Sequence, residues 1–277
     1  MLAGGAIGKV MSVDFIYQLD RFHGADYFRR WHRRKENSGG LLISKATHHF
    51  DLINWFLGQD PVEVFARGSR QFYGPTRKER GANCRTCDHQ KTCEFFFDIN
   101  ATRTGREMYA KVEHHDGYIR DQCVFADEID IEDTMNLVVQ YSGGTQMSYS
   151  LNAHCVYEGW RLALNGTTGR LEATDWDSGP YFVKDKQDKQ DILLHRWNGT
   201  VFNISTETIS VPIDTSGHFG GDVRIQRMLF DGPQPDPIGH MASSRAGAMS
   251  LLTGAAANRS IASGQPIQIE QLLKGQS

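Results

Sequence analysis

The sequence has no long apolar run. Its clearly apolar stretches, such as 41–43 and 95–97, fall far short of the roughly 20 residues that a membrane-spanning helix needs. The first residues also lack the basic segment and following apolar segment of a secretory signal. We therefore expect a soluble chain that works in the cytoplasm.

The sequence also has little excess charge of either sign. It carries 30 Lys and Arg against 33 Asp and Glu, a formal net charge of −3 over 277 residues. This balance gives no electrostatic reason to expect nucleic acid or an anionic membrane as a partner. A small molecule is the favoured ligand, and a composition that is 39% hydrophobic can bury a sizeable core.

A glycine-rich dinucleotide fingerprint is missing as well. Such a Gly-x-Gly-x-x-Gly turn follows a buried strand and opens a helix. The glycines within 4–8 follow no strand, and Gly166-Thr167-Thr168-Gly169 lies among strand-like segments, where a hairpin turn is favoured. We expect no cofactor-binding residues in this chain.

The hydrophobic periodicity predicts strands first and helices last. A strand-like run covers 8–17, closely spaced strands joined by glycine turns follow between 135 and 209, and helices are predicted over 222–230 and 243–263. This order predicts an α+β fold with an open, mostly antiparallel sheet and helices on one face. An open sheet has to cover its other face, so we predict a homo-oligomer formed through it.

A polar insertion at about 73–133 contains most of the cysteines. Cys84, Cys87 and Cys93 have the spacing Cys-x2-Cys-x5-Cys, and Cys123 follows thirty residues later. Three thiolates so close in sequence can reach one tetrahedral zinc ion, with Cys123 or His89 as the fourth ligand. An iron–sulfur cluster uses similar ligands. Reduced surface cysteines without metal explain the same pattern.

The segment 39–58 contains the residues best suited to proton transfer. If it is helical throughout, Ser44 and His48 lie one turn apart, as do Lys45 and His49. Histidine exchanges a proton near neutral pH, which is what removal of a proton from an alcohol requires. The alternative is that both histidines are hydrogen-bonded helix residues beside a core.

The same segment has a second, apolar side. Ala46, Phe50, Ile53 and Leu57 form an amphipathic stripe, and Gly58 follows as a predicted left-handed cap. The polar side could therefore line a substrate site while the stripe packs on the core. Arg21 and His23 could contact the same substrate, although an exposed charged helix accounts for them equally well.

Several motifs occur in the order seen in one known family. The run 8–13, the double glycine at 39–40, His48-x-x-Asp51, the ending 55–58 and the segment 165–172 resemble the carboxy-terminal domain of the Gfo/Idh/MocA (glucose–fructose oxidoreductase and inositol dehydrogenase) family. The resemblance covers nearly the whole chain. It implies a substrate-binding and oligomerisation domain over 1–277, with the amino-terminal dinucleotide-binding domain absent.

The resemblance implies an NAD- or NADP-dependent oxidoreductase of a sugar, polyol or related hydroxyl compound, inactive as this chain alone. His48 matches the family's active-site histidine, and we expect Lys45 to act with it. His49, Ser44, Arg21 and His23 are the expected substrate contacts. Ser44 stands where the family commonly has aspartate, so either Lys45 or another pocket residue has a different role, or the chemistry differs from the inositol dehydrogenase pattern. Two other functions stay open: a glycoside-cleaving relative that uses transient oxidation, and a non-enzymatic, metal-braced binding or assembly module.

Overall fold

The structure is a computed structural model, and it describes residues 1–180, 189–200, 202–214, 216–232 and 234–274. Within these residues nine strands form one sheet. They are β1 (Val10–Asp20), β2 (Pro61–Ser69), β3 (Thr134–Tyr141), β4 (Gln146–Cys155), β5 (Gly159–Gly166), β6 (Gly169–Trp176), β7 (Lys189–Trp197), β8 (Ile204–Pro212) and β9 (Ile267–Gln268).

The spatial order of the strands is β8-β7-β6-β5-β1-β4-β3-β2-β9. The central strand β1 runs parallel to β4 and antiparallel to β5, and the remaining neighbours are antiparallel. The predicted open, mostly antiparallel sheet is confirmed. The turn 166–169 joins the antiparallel strands β5 and β6, so the predicted hairpin at this glycine pair is also confirmed.

The helices lie between β1 and β2, between β2 and β3, and after β8. They are α1 (Arg21–Arg29), α2 (Lys35–Ser38), α3 (Leu41–Ser44), α4 (Thr47–Leu57), α5 (Glu113–Asp116), α6 (Gly221–Phe230), α7 (Ser244–Ser263) and α8 (Ile269–Leu273), with 3-10 turns at Leu2–Gly4, Trp31–Arg33 and Gly217–Gly220 and a π-helical turn at Gly105–Ala110.

Helices α4 and α7 cover one face of the sheet, which confirms the predicted α+β layering. Alternate residues of β1 point into this layer, and Phe15 and Tyr17 are among those buried there. The Phe50 ring of α4 lies 5.2 Å from the ring of Tyr149 on β4. Helix α7 is tied to β2 because the Ser260 hydroxyl accepts a hydrogen bond from a backbone N–H of that strand, at 2.9 Å. The core therefore lies between this helical layer and the sheet.

The predicted stripe of helix α4 is confirmed in its main part. Ala46, Phe50 and Ile53 are fully buried, and Gly58 adopts the left-handed conformation, with φ 59°, that ends the helix. The prediction of one continuous helix is wrong, however. Helix α3 ends at Ser44, and Lys45 leaves helical geometry with φ −126° and ψ −51°. Ser44 and His48 therefore do not lie on a shared helix face.

The segment 73–133 is largely irregular, as its weak periodicity indicates. It is nevertheless fixed to the main core by buried side chains, including Tyr73, Phe95 and Phe125. At its end the Asp133 carboxylate, fully buried, accepts hydrogen bonds from three consecutive backbone N–H groups, those of residues 71–73. These contacts hold the segment against the end of the sheet beside α1.

Candidate functional site

Helix α4 places His49 against the sheet. Its Nδ1 lies 2.7 Å from the Tyr149 hydroxyl, and its ring is 5.0 Å from that of Phe15 and 4.4 Å from that of Tyr17. Burial lowers the pKa of His49 to about 3, and the nearby charges of Lys45 and His48 lower it further in smaller part. The imidazole is therefore neutral at pH 7 and held by a tyrosine.

Lys45 occupies the break between α3 and α4. Its Nζ lies 5.2 Å from the centroid of the Tyr17 ring, a cation–π distance. Burial lowers the pKa of Lys45, while the carboxylates of Glu158 and Asp177 act in the opposite direction. The non-helical backbone at Lys45 turns this ammonium group towards the end of β1.

Glu158 completes this polar cluster, and sequence reasoning gave it no role. Its carboxylate is nearly buried and lies 2.8 Å from His23 Nδ1, and it accepts a hydrogen bond from the Tyr17 hydroxyl at 3.4 Å. Burial, followed by the charge of Glu158, raises the pKa of Tyr17 well above its usual range. Its position in the sequence, between two predicted strands, could have identified it, because the second of these strands pairs with the end of β1.

Asp177 is a second carboxyl that the sequence did not single out. It follows β6, and burial raises its pKa, with like-charged Asp175 and Glu158 adding to the effect. Lys45 and His23 act against this shift. The cluster therefore combines a partly desolvated ammonium, a neutral imidazole and carboxyl groups, which is a site able to hold hydroxyl groups and move a proton.

His48 points away from the sheet and is exposed. It lines an open cleft of about 620 Å³ between α4 and the segment before α7. Trp55 and His240 stand on the walls of this cleft, with ring centroids 5.2 Å apart, and Trp55 Nε1 donates a hydrogen bond to the Ile238 carbonyl at 2.8 Å. His48 is thus accessible from outside, three residues beyond the helix break at Lys45.

Two of the predicted substrate contacts have other partners. The Ser44 hydroxyl donates to the Gly40 carbonyl at 3.0 Å, within its own helical turn. The guanidinium of Arg21 lies 5.2 Å from the centroid of the Phe72 ring. The structure therefore brings Lys45, His49 and His23 into one cluster, and leaves Ser44 and Arg21 outside it.

The five cysteines are free thiols. Over the described ranges, no group of three or more His, Cys, Asp or Glu side chains is arranged to hold a metal ion. The structural zinc predicted from Cys84, Cys87, Cys93 and Cys123 is therefore not supported, because four thiolates bound to one zinc must each approach it to about 2.3 Å.

Among the described residues there is also no helix both long and apolar enough to span a membrane.

Comparison with known proteins gives clear relatives. Residues 1–269 match the family described as "Oxidoreductase family, C-terminal alpha/beta domain". "Putative oxidoreductase YteT" of Bacillus subtilis (strain 168) is 37% identical over 295 aligned positions, which cover 100% of this chain and 67% of that protein. Both similarities extend over almost the whole length of the chain.

Solved structures share the fold. A "probable dehydrogenase from Thermotoga maritima" is 16% identical with a TM-score of 0.54, over 98% of this chain and 60% of that chain. Levoglucosan dehydrogenase, in complex with NADH and levoglucosan, is 16% identical with a TM-score of 0.59, over 98% of this chain and 62% of that chain. The chain thus spans about 60% of the length of these structures. By its family match, the chain belongs to the Gfo/Idh/MocA oxidoreductase family.

Proposed function

We propose that this chain is the substrate-side domain of an NAD(P)-dependent oxidoreductase that oxidises a hydroxyl group of a sugar or polyol. The observation that carries the proposal is the cluster of Lys45, His49, Tyr17 and Glu158, with His48, next to His49 in the chain, exposed in a cleft. Lys45, His48 and His49 lie on the segment 39–58, which carries part of the family resemblance. Levoglucosan dehydrogenase, solved in complex with NADH and levoglucosan, has the same fold.

The candidate glycine pair at 166–169 is a hairpin between β5 and β6, whereas a pyrophosphate site needs a glycine turn that opens a helix. We propose that a separate dinucleotide-binding domain holds the nicotinamide, and that 1–277 supplies the substrate contacts. This chain alone should then be inactive.

Within this domain we assign proton transfer to His48. It is exposed and can reach a hydroxyl bound beside α4, whereas His49 is occupied by Tyr149 and its pKa of about 3 makes it a poor base at pH 7. Lys45 faces Tyr17 and not the cleft that His48 lines, and it would hold a further hydroxyl group of the substrate. Glu158 would hold Tyr17 and His23 in place around further hydroxyl groups of the substrate.

Calorimetry with NAD and with NADP on this chain is the first test. We expect no binding of either cofactor. Clear micromolar binding would contradict the proposal that a separate domain holds the nicotinamide. The second test uses the full-length protein, assayed for net oxidation of sugars and polyols. His48→Asn should lower kcat about 100-fold or more, the usual contribution of a general base, while His115→Asn, at an exposed site in the insertion, should leave it unchanged.

Product analysis distinguishes the glycoside-cleaving alternative. Net formation of reduced cofactor with an oxidised sugar supports the proposal. Release of a free sugar from a glycoside without net cofactor reduction would instead support the glycoside-cleaving function.

The cytoplasmic location expected from the sequence stays a prediction.

We also propose that the chain forms a homo-oligomer through the open face of the sheet. Phe65 on β2 and Val138 on β3 are directly paired, and their side chains are 36% and 48% exposed on this face. Val138→Glu should produce monomers in sedimentation velocity runs at micromolar concentration, because a charge buried in such an interface is costly. Val156→Glu, also exposed but beyond the end of β4, is the matched control.

A further inference from the structure

Four cysteines of the insertion line one narrow cavity. Cys84, Cys87, Cys93 and Cys123 all face it, although Cys123 is 30 residues from the nearest of the others in sequence. Cys155, at the end of β4, does not line it. The fold thus gathers every cysteine of the insertion at one place, without linking any of them in a disulfide.

Each of the four sulfur atoms accepts a hydrogen bond from an N–H group. Backbone N–H groups two residues onward donate to Cys87 Sγ and Cys123 Sγ, both at 3.4 Å. Arg29 donates to Cys84 Sγ at 3.1 Å, and Arg77 donates to Cys93 Sγ at 3.0 Å. A neutral thiol is a weak acceptor, so this concentration of donors is suited to thiolate ligands.

Arg29 provides an independent indication of negative charge in the cavity. It is 4% exposed, and its other hydrogen bonds are to the carbonyl oxygens of Gln122 and Phe95. Among the described residues it has no carboxylate partner. A buried guanidinium without a counter-ion is costly, and a ligated Cys84 thiolate would supply that counter-ion.

The arrangement of the thiols separates the candidate ligands. Over the described residues, no three ligand side chains surround a common point at which a single ion would bind, as four thiolates on one zinc at about 2.3 Å would. A polynuclear group places its cysteine ligands farther apart, and the four cysteines line one small cavity of about 20 Å³.

We propose that Cys84, Cys87, Cys93 and Cys123 bind an iron–sulfur cluster in this cavity. Four cysteine thiolates are the ligand set of both the [2Fe–2S] and the [4Fe–4S] cluster. Each thiol releases its proton as it binds iron, and the iron and sulfide come from outside the chain. The cluster braces the irregular segment from the inside, with Arg29 and Arg77 compensating its negative charge.

Anaerobic reconstitution of the purified chain with ferrous iron, sulfide and a thiol reductant tests this proposal. After desalting, we expect iron and acid-labile sulfide in equal amounts, two or four of each per chain depending on cluster type. Visible absorption should bleach on reduction with dithionite. Cys84→Ser and Cys123→Ser should lose both the iron and the absorption, while Cys155→Ser should retain them.

Circular dichroism shows whether each protein sample is folded, so that a failure to take up iron can be told apart from a failure to fold. Wild-type chain that is folded yet takes up neither iron nor sulfide would overturn the proposal, as would stoichiometric zinc that iron and sulfide do not displace. If the cysteine variants fail to fold, the wild type still decides through its iron and sulfide content. Arg29→Met should also lower the reduction potential of the bound cluster, because it removes a positive charge beside one ligand.

Discussion

Replacing His49 with glutamine should make the chain less sensitive to mild acid. The imidazole has an ordinary pKa near 6.5 when unfolded, and burial lowers it to about 3 in the folded chain. Between these two values the unfolded state binds a proton that the native state excludes. Stability therefore falls as the pH drops below about 6.5, and continues to fall until the pH reaches the folded pKa.

The size of the effect follows from the shift. Over the interval from pH 7 to pH 5, the linkage relation gives a loss of about 2 kcal/mol from this one histidine. His49→Gln keeps a polar group near the Tyr149 hydroxyl but cannot titrate. The free energy of unfolding of the variant should therefore fall by about 2 kcal/mol less than that of the wild type over the same interval.

Urea unfolding at pH 7 and pH 5, followed by circular dichroism, measures this difference directly. His115→Gln, at an exposed position on the short helix α5, is the control and should show the wild-type loss. If His49→Gln loses as much stability between the two pH values as the wild type, then His49 is not held neutral by burial. The reason for preferring His48 over it as the base would then fail as well.

Two further predictions concern packing and buried polar groups. Gly24→Ala should destabilise the chain by about 1–3 kcal/mol in urea unfolding, because the added Cβ would stand 1.8 Å from the Ala153 carbonyl oxygen. Gly247→Ala is the control: it has open space on α7 and should stabilise the chain by up to about 1 kcal/mol. Equal effects at both sites would contradict the close approach of α1 to β4. Asp133→Asn should lower the free energy of unfolding by about 1–3 kcal/mol, because the buried carboxylate accepts hydrogen bonds from three backbone N–H groups. Asp127→Asn, at an exposed position, should change it by less than about 0.5 kcal/mol. A thermal shift assay in which Asp127→Asn lowers the melting temperature more than Asp133→Asn would refute this account.

The sequence was most informative where a local pattern and the tertiary structure agree. The stripe through Phe50 and Ile53, closed by Gly58, predicted α4 because its spacing matches the helical period and only a left-handed residue ends the helix in this way. Strand alternation with glycine turns likewise predicted the meander. The ordered motifs predicted the family, which the match over residues 1–269 confirms.

The break at Lys45 could not be predicted in this way. Helix α3 packs so closely on α7 that a Cβ at Gly254 would meet the Leu42 carbonyl oxygen at 2.3 Å, and Asn258 donates to the Gly39 carbonyl. These contacts come from residues more than 200 positions away. They fix the direction of α3 independently of α4, and so place Lys45 between the two helices.

The sequence by itself thus determined the strands of the meander, the sheet class, and helix α4 with His48 and His49 on it. Only the tertiary structure decided which of them act together. Glu158 joins Lys45 and His23 because β5 pairs with β1, and the four cysteines meet because the insertion folds back on α1. Spacing along the chain encodes local periodicity, but the distances between side chains on separate elements depend on how those elements pack.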